Sequence, residues 1–163
     1  MGNVIKIDDG SEVFDIVNTR GELLGQFTFI PSDFDLMKRY DYTVKVFENI
    51  QHELIERSEA EKQEGMEEEA NSGAMEYLKS LDKRMGEAID YLFNAPVSEK
   101  FFSITSPFTM LNSGQFYVEN VINAIRAVIE QKRNVKLQAV QSQVEKYTQR
   151  YKVGPGGYIA PVK

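Results

Sequence analysis

Phe27-Thr28-Phe29-Ile30-Pro31-Ser32-Asp33-Phe34-Asp35-Leu36 is the stretch on which the fold of this chain turns. Its first four residues favour a strand, and from Asp33 onward the apolar residues recur at spacings of three and four, the period of a helix. Pro31 lacks the N–H that a central ladder needs, Ser32 is a favoured N-cap, Asp35 three residues on completes a capping-box-like pair, and Pro31 is placed to pack on Leu36 as a staple. A strand ends here and a long helix begins. The junction implies an α+β fold: a small N-terminal antiparallel β-meander over residues 1–31, packed on a predominantly α-helical body over 32–153.

Upstream, Asn3 to Ile7 and Ser11 to Val17 are short β-favouring runs separated by Asp8-Asp9-Gly10, whose Asp-Gly suits a tight hairpin turn. Asn18-Thr19-Arg20-Gly21 supplies a second turn before Leu23 to Ile30. Three strands in succession predict the meander. So small a sheet has too little apolar face to stand alone and should pack against a helix.

Downstream, Met37, Tyr40, Val44, Phe47 and Leu54 mark an amphipathic helix, with Gln51 at the one polar position of the seam and Ile50 and Ile55 widening it. The stripe vanishes after about Arg57, and the Glu-rich stretch 58–73 reads as a solvated helix end and a mobile acidic linker. Leu78, Leu81, Met85, Ala88 and Leu92, flanked by Ile89 and Phe93, then predict a second helix ending before Pro96. Between Asn94 and Asn112 the chain is too apolar for an open loop, and a short helix over Val97 to Phe102 with a buried connector fits it. A last helix, expected to start at Asn112 or Ser113, carries Val118, Val121, Ile125 and Val128. Around Lys132 to Lys136 the phase slips, marking a kink, a break or a rotation of the buried face. Gly154-Pro155-Gly156-Gly157 closes the single domain expected over 1–153 and leaves 154–163 as a flexible tail.

The chain has 163 residues, 42% of them hydrophobic and 27% charged, which suits one domain with a real core. Its formal net charge of -6 argues against nucleic acid as partner, because phosphate binding is driven by Lys and Arg. The charge is split. Residues 53–69 hold eight acidic against two basic side chains, net -6, and residues 126–163 hold eight basic against two acidic, net +6. Such opposed poles can meet internally or between copies. With no cysteine, disulfides, thiolate nucleophiles and Cys-based zinc sites are excluded. No apolar run approaches a membrane span and the first residues lack the regions of a signal peptide, so no membrane association and a cytoplasmic location are expected.

No residue pattern calls for a catalytic site, a cofactor or a metal. His52 is the sole histidine and lacks the partners of a triad or a His-rich metal site. Asp8-Asp9 belongs to a turn, and Asp33 with Asp35 to a helix N-terminus, where negative charge is favoured. Glu67-Glu68-Glu69 is a solvated run whose consecutive side chains point apart. The Gly154 loop lacks the strand, the helix and the Lys-Ser or Lys-Thr ending of a phosphate loop. Met37, Phe47, Met85 and Phe93 fall on helical seams, where they serve as core.

The distinctive feature is a second seam, Leu137, Val140, Val144, Tyr147 and Tyr151, with two apolar residues per heptad among Gln, Lys, Ser and Arg. A helix buried in its own domain usually carries a wider stripe. This seam is the candidate partner-binding surface, with Lys132, Arg133 and Lys136 steering, and self-association is open to it. The alternative is a narrow contact with its own domain.

In order along the chain, the β-element leading into Phe27-Thr28-Phe29-Ile30-Pro31-Ser32-Asp33, Leu36 and Arg39-Tyr40, the acidic middle, then Ser106-Pro107-Phe108, Asn112-Ser113-Gly114 and Phe116-Tyr117-Val118-Glu119 before an amphipathic helix resemble the tail assembly chaperones of long-tailed bacteriophages and prophages, especially of Gram-positive hosts. The resemblance implies a non-enzymatic protein of the bacterial host cytoplasm. It would bind the long helical tape-measure protein and hold it soluble while tail-tube subunits assemble around it. A frameshifted longer form is common in that family. The rival expectations are a permanent virion component, such as a head-tail connector or minor tail protein, and a small enzyme built around His52.

Overall fold

The computed structural model describes residues 2–64, 70–153 and 159–161. The fold is α+β, an N-terminal antiparallel hairpin followed by a mostly helical body. Where one domain over 1–153 was expected, the chain divides into two compact units, Met1–Ile125 and Arg126–Lys163.

In the first unit, β1 (Glu12–Val17) pairs antiparallel with β2 (Leu23–Phe29) across the turn at Asn18 to Gly21. The Asn18 side chain builds that turn by accepting the Arg20 and Glu22 N–H groups at 2.9 and 3.0 Å. The third strand is absent: residues 3–7 pair with nothing among the described residues. Asp8 and Asp9 spend their carboxylates on the N–H groups of Gly10 and Ser11, each at 2.9 Å, and these two local turns replace the hairpin expected there.

Helix α1 (Leu36–Glu64) begins later than the capping motif suggested. The Asp35 carbonyl takes the first helical bond from the Arg39 N–H, and Asp33, not Ser32, lends its carboxylate to the Asp35 N–H at 3.0 Å. Leu36 and Pro31 are both buried. The face that α1 buries is centred on Leu36, Tyr40, Thr43, Phe47 and Ile50, rotated from the expected stripe, so Met37 and Val44 are only half-buried. Polar Thr43 tolerates full burial because its Oγ1 lies 2.9 Å from the Arg39 carbonyl and 3.1 Å from that of Ala88.

The stretch expected as a linker is helical at both ends: α1 reaches Glu64 and α2 (Ala70–Phe93) starts at Ala70, while 65–69, and with them Glu67 to Glu69, lie outside the described residues. α2 buries Leu81, Met85, Ala88, Ile89 and Leu92 against α1, as its rhythm predicted, whereas Leu78 is left 40% exposed. Phe93 at its end docks the hairpin, its ring edge-on to Phe27 at 4.8 Å and to Phe29 at 4.9 Å. Arg39 ties the helices together there, donating to the Leu92 carbonyl at 2.9 Å and to Asp33 at 3.0 Å.

α3 (Ser98–Phe101) is the short helix that Val97 to Phe102 promised. Asp90 Oδ1 accepts the Val97 and Ser98 N–H groups at 2.9 and 2.7 Å, capping α3 from α2. β2 runs so close to α3 that a Cβ on Gly25 would stand 2.8 Å from that of Lys100, and the Lys100 ammonium donates to the Gln26 carbonyl. The connector then turns at 112–114, with a bridge from Met110 to Phe116, so α4 (Tyr117–Arg150) starts later than Asn112 or Ser113. Its free first N–H groups are met from the connector. Tyr117 and Val118 donate to the carbonyls of Thr109 and Pro107, both at 2.8 Å, and Glu119 accepts the Phe116 N–H at 3.2 Å.

The second unit comprises the continuation of α4 from Arg126 and an antiparallel pair, β3 (Tyr151–Val153) with β4 (Ile159–Pro161). The C-terminal segment expected as a flexible tail thus contributes a strand. Gly154-Pro155-Gly156-Gly157 lies outside the described residues.

Candidate partner-binding surface

α4 runs without interruption from Tyr117 to Arg150, so the slip at Lys132 to Lys136 is not a break. Nor does the buried face rotate. Val118, Val121, Ile122 and Ile125 are buried, and beyond Ile129 no described side chain of the helix is. The phase slip marks the point where burial ends.

The predicted seam residues divide three ways. Leu137, Val140 and Val144 stand together on α4 and are 51, 58 and 56% exposed. Tyr147 and Lys136 are placed in the helix by their backbone alone. Tyr151 is not in the helix: it opens β3, opposite Pro161, so the seam is one position shorter than its heptad pattern implied. Arg133 is exposed and Lys132 half-buried, one turn before the seam. Val135, 58% exposed, lies off the stripe, and a seam reading passes over it. Beyond Ile129 the exposed apolar residues Leu137, Val140 and Val144 keep about half of their burial free energy to gain from another chain.

The residues nominated for chemistry sit elsewhere and have structural partners. His52 is on the surface of α1, its Nε2 3.1 Å from Glu56 one turn on. Asp33 is held below the usual carboxylate range first by the Asp35 N–H and then by the Arg39 guanidinium. Asp9 is shifted the same way by Ser11, whose hydroxyl and N–H both bond it. An open cleft of about 550 Å³ between α2 and α3 is lined by Asp82, Glu87, Asp90 and Glu99. Of these, Asp90 caps α3 and Asp82 accepts the Ser106 hydroxyl at 2.9 Å. No group of three or more acidic or histidine side chains suited to a metal occurs among the described residues. No helix among them is long and apolar enough to cross a membrane.

Compared with known proteins, the chain matches no family model, no curated protein and no solved structure.

Proposed function

We propose that this chain is a non-enzymatic assembly chaperone of a long-tailed bacteriophage or prophage, working in the host cytoplasm. It binds the helical tape-measure protein through the α4 seam and keeps it soluble during tail assembly. One observation carries the reading: Leu137, Val140 and Val144 project from a long helix whose described side chains beyond Ile129 are not buried. A two-per-heptad stripe presented in this way is the half-interface that a client helix completes by knobs-into-holes packing. The surrounding basic side chains favour a client with acidic flanks.

The test is co-expression of the chain with a tape-measure protein, followed by measured affinity for wild type and for Val140→Asp/Val144→Asp. Both valines are more than half exposed. Completing their burial is worth about 1–1.5 kcal/mol each, so the double variant should bind roughly 30- to 150-fold more weakly. Melting of the Met1–Ile125 unit should not change, because exposed substitutions rarely move stability by more than about 0.5 kcal/mol. Affinity retained within about threefold refutes the site. Recovery of the chain from purified particles would make it a virion component instead.

A further inference from the structure

Three strongly exposed apolar residues lie just before the hairpin. Val4, Ile5 and Ile7 are 86, 87 and 78% exposed, in a stretch with no helix, strand or turn. The sequence favours a strand there, yet the segment does not fold back on β1. Gly10, at φ +77°, carries the chain past Ile30 and Ser32, close enough that a Cβ on it would lie 3.8 Å from Ile30 Cγ2 and 3.7 Å from Ser32 Oγ. Asp8 and Asp9 bond the N–H groups of Gly10 and Ser11, so the chain turns there, and residues 3–7 pair with no strand among the described residues.

The β1 edge is open. The Asn18 N–H donates to the Glu22 carbonyl across the pair, so Asn18 faces the β2 side and, by alternation along β1, Val17 and Asp15 turn their backbone groups away from it. The same alternation turns Val13 outward. Among the described residues no strand pairs with these groups, whereas β2 is covered by α3.

We propose that residues 3–7 add as an antiparallel strand to the β1 edge of a second copy of this chain, and that two copies exchange these arms reciprocally. One register satisfies every position: Val4 opposite Val17, Ile5 opposite Ile16, Lys6 opposite Asp15 and Ile7 opposite Phe14. Ile5 and Ile7 then join half-buried Phe14 and Ile16 on the core face. Val4 and Lys6 join Val17 and Asp15 on the outer face, where the charges are opposite and the valines adjacent. A slip of one residue would put Lys6 against the Phe14 face, so the pattern selects this pairing. The sheet grows from two strands to three, and exchange through a two-fold axis closes the assembly at a dimer. No residue of the α4 seam takes part in this exchange.

The natural absence of cysteine makes the test direct. Opposed residues whose groups bond across such a ladder have Cα atoms about 5.5 Å apart, within disulfide range. Lys6→Cys and Asp15→Cys variants, mixed under mild oxidation, should give a disulfide-linked species at twice the chain mass that neither variant gives alone. An internal disulfide at monomer mass in the double variant, or a mixture that stays monomeric, overturns the proposal. By light scattering, deletion of residues 2–7 should halve the mass. Ile5→Asp should raise the dimer dissociation constant at least about tenfold. A dimer that survives the deletion with unchanged affinity also overturns it. All these positions are exposed, so a cooperative melt is expected of each variant.

Discussion

Truncating Phe93 to alanine should loosen the hairpin from the helical body, and the structure sets the scale. The ring is 6% exposed and makes edge-on contacts with Phe27 and Phe29 at 4.8 and 4.9 Å, besides lying 6.0 Å from Phe101. Removing a buried phenyl group costs about 3–5 kcal/mol in transfer and cavity terms. Three aromatic partners place Phe93→Ala at the upper end, because each well-oriented pair adds about 0.5–1.5 kcal/mol beyond area. Phe93→Leu keeps most of the volume and loses mainly the ring geometry, for about 1–2 kcal/mol. In urea, followed by far-ultraviolet circular dichroism, a slope of about 2 kcal/mol per molar turns these costs into midpoint drops of about 2 M and 0.5–1 M. Amide exchange should quicken first in Glu12–Val17 and Leu23–Phe29, since Phe93 is what seats the hairpin on α2. A loss below about 1 kcal/mol for the alanine variant would mean that the hairpin does not dock through this ring, and the account of the core would fail.

Asp90→Ala should cost about 1–2 kcal/mol by freeing the Val97 and Ser98 N–H groups, with Asp90→Asn keeping most of the stability, both read from urea midpoints. Tyr117 donates its hydroxyl to the Phe101 carbonyl at 2.7 Å, and Tyr117→Phe should cost about 1 kcal/mol near neutral pH. Burial pushes the Tyr117 pKa above its ordinary 10.0, so its contribution is complete below that pH and is lost as pH rises through the folded value. Alkaline melts of the phenylalanine variant should lack that part of the decline. Asp33 behaves in the opposite sense: its pKa is lowered from 3.8 in the folded state, so its contribution is present above that pH and is lost as pH falls through the lower folded value. Asp33→Asn should flatten the acid limb of stability against pH, and an unchanged limb would show that the Asp35 and Arg39 bonds are not what stabilises the carboxylate.

The seam shows how much of the candidate site is legible in the chain. Leu137, Val140 and Val144 could be picked out because a two-per-heptad pattern is a local property of one helix. That they stay exposed could not be read, since it depends on where burial along α4 stops, after Ile129. Tyr151 was misplaced for the same kind of reason: its spacing continues the seam, but its backbone pairs with Pro161 ten residues on. Gln51, the polar gap in the first stripe, finds its purpose only in three dimensions, where it donates to Glu119 at 3.0 Å.

By itself the sequence determined the α+β class, the hairpin turn at Asn18, the junction at Pro31, the α2 stripe and the short α3, because each rests on bonds or periods spanning a few residues. Tertiary structure decided the rest. Residues 3–7 have the composition of a strand, but Gly10, at φ +77°, lies beside Ile30 and Ser32, and the segment pairs with no strand among the described residues. α4 starts at Tyr117 because the carbonyls of Pro107 and Thr109 wait there for its first N–H groups, and Thr43 is core because the Ala88 carbonyl faces it. A local pattern states what an element is able to be; which face it hides, and where it ends, is settled by groups distant in the chain that compete for the same bonds and the same surface.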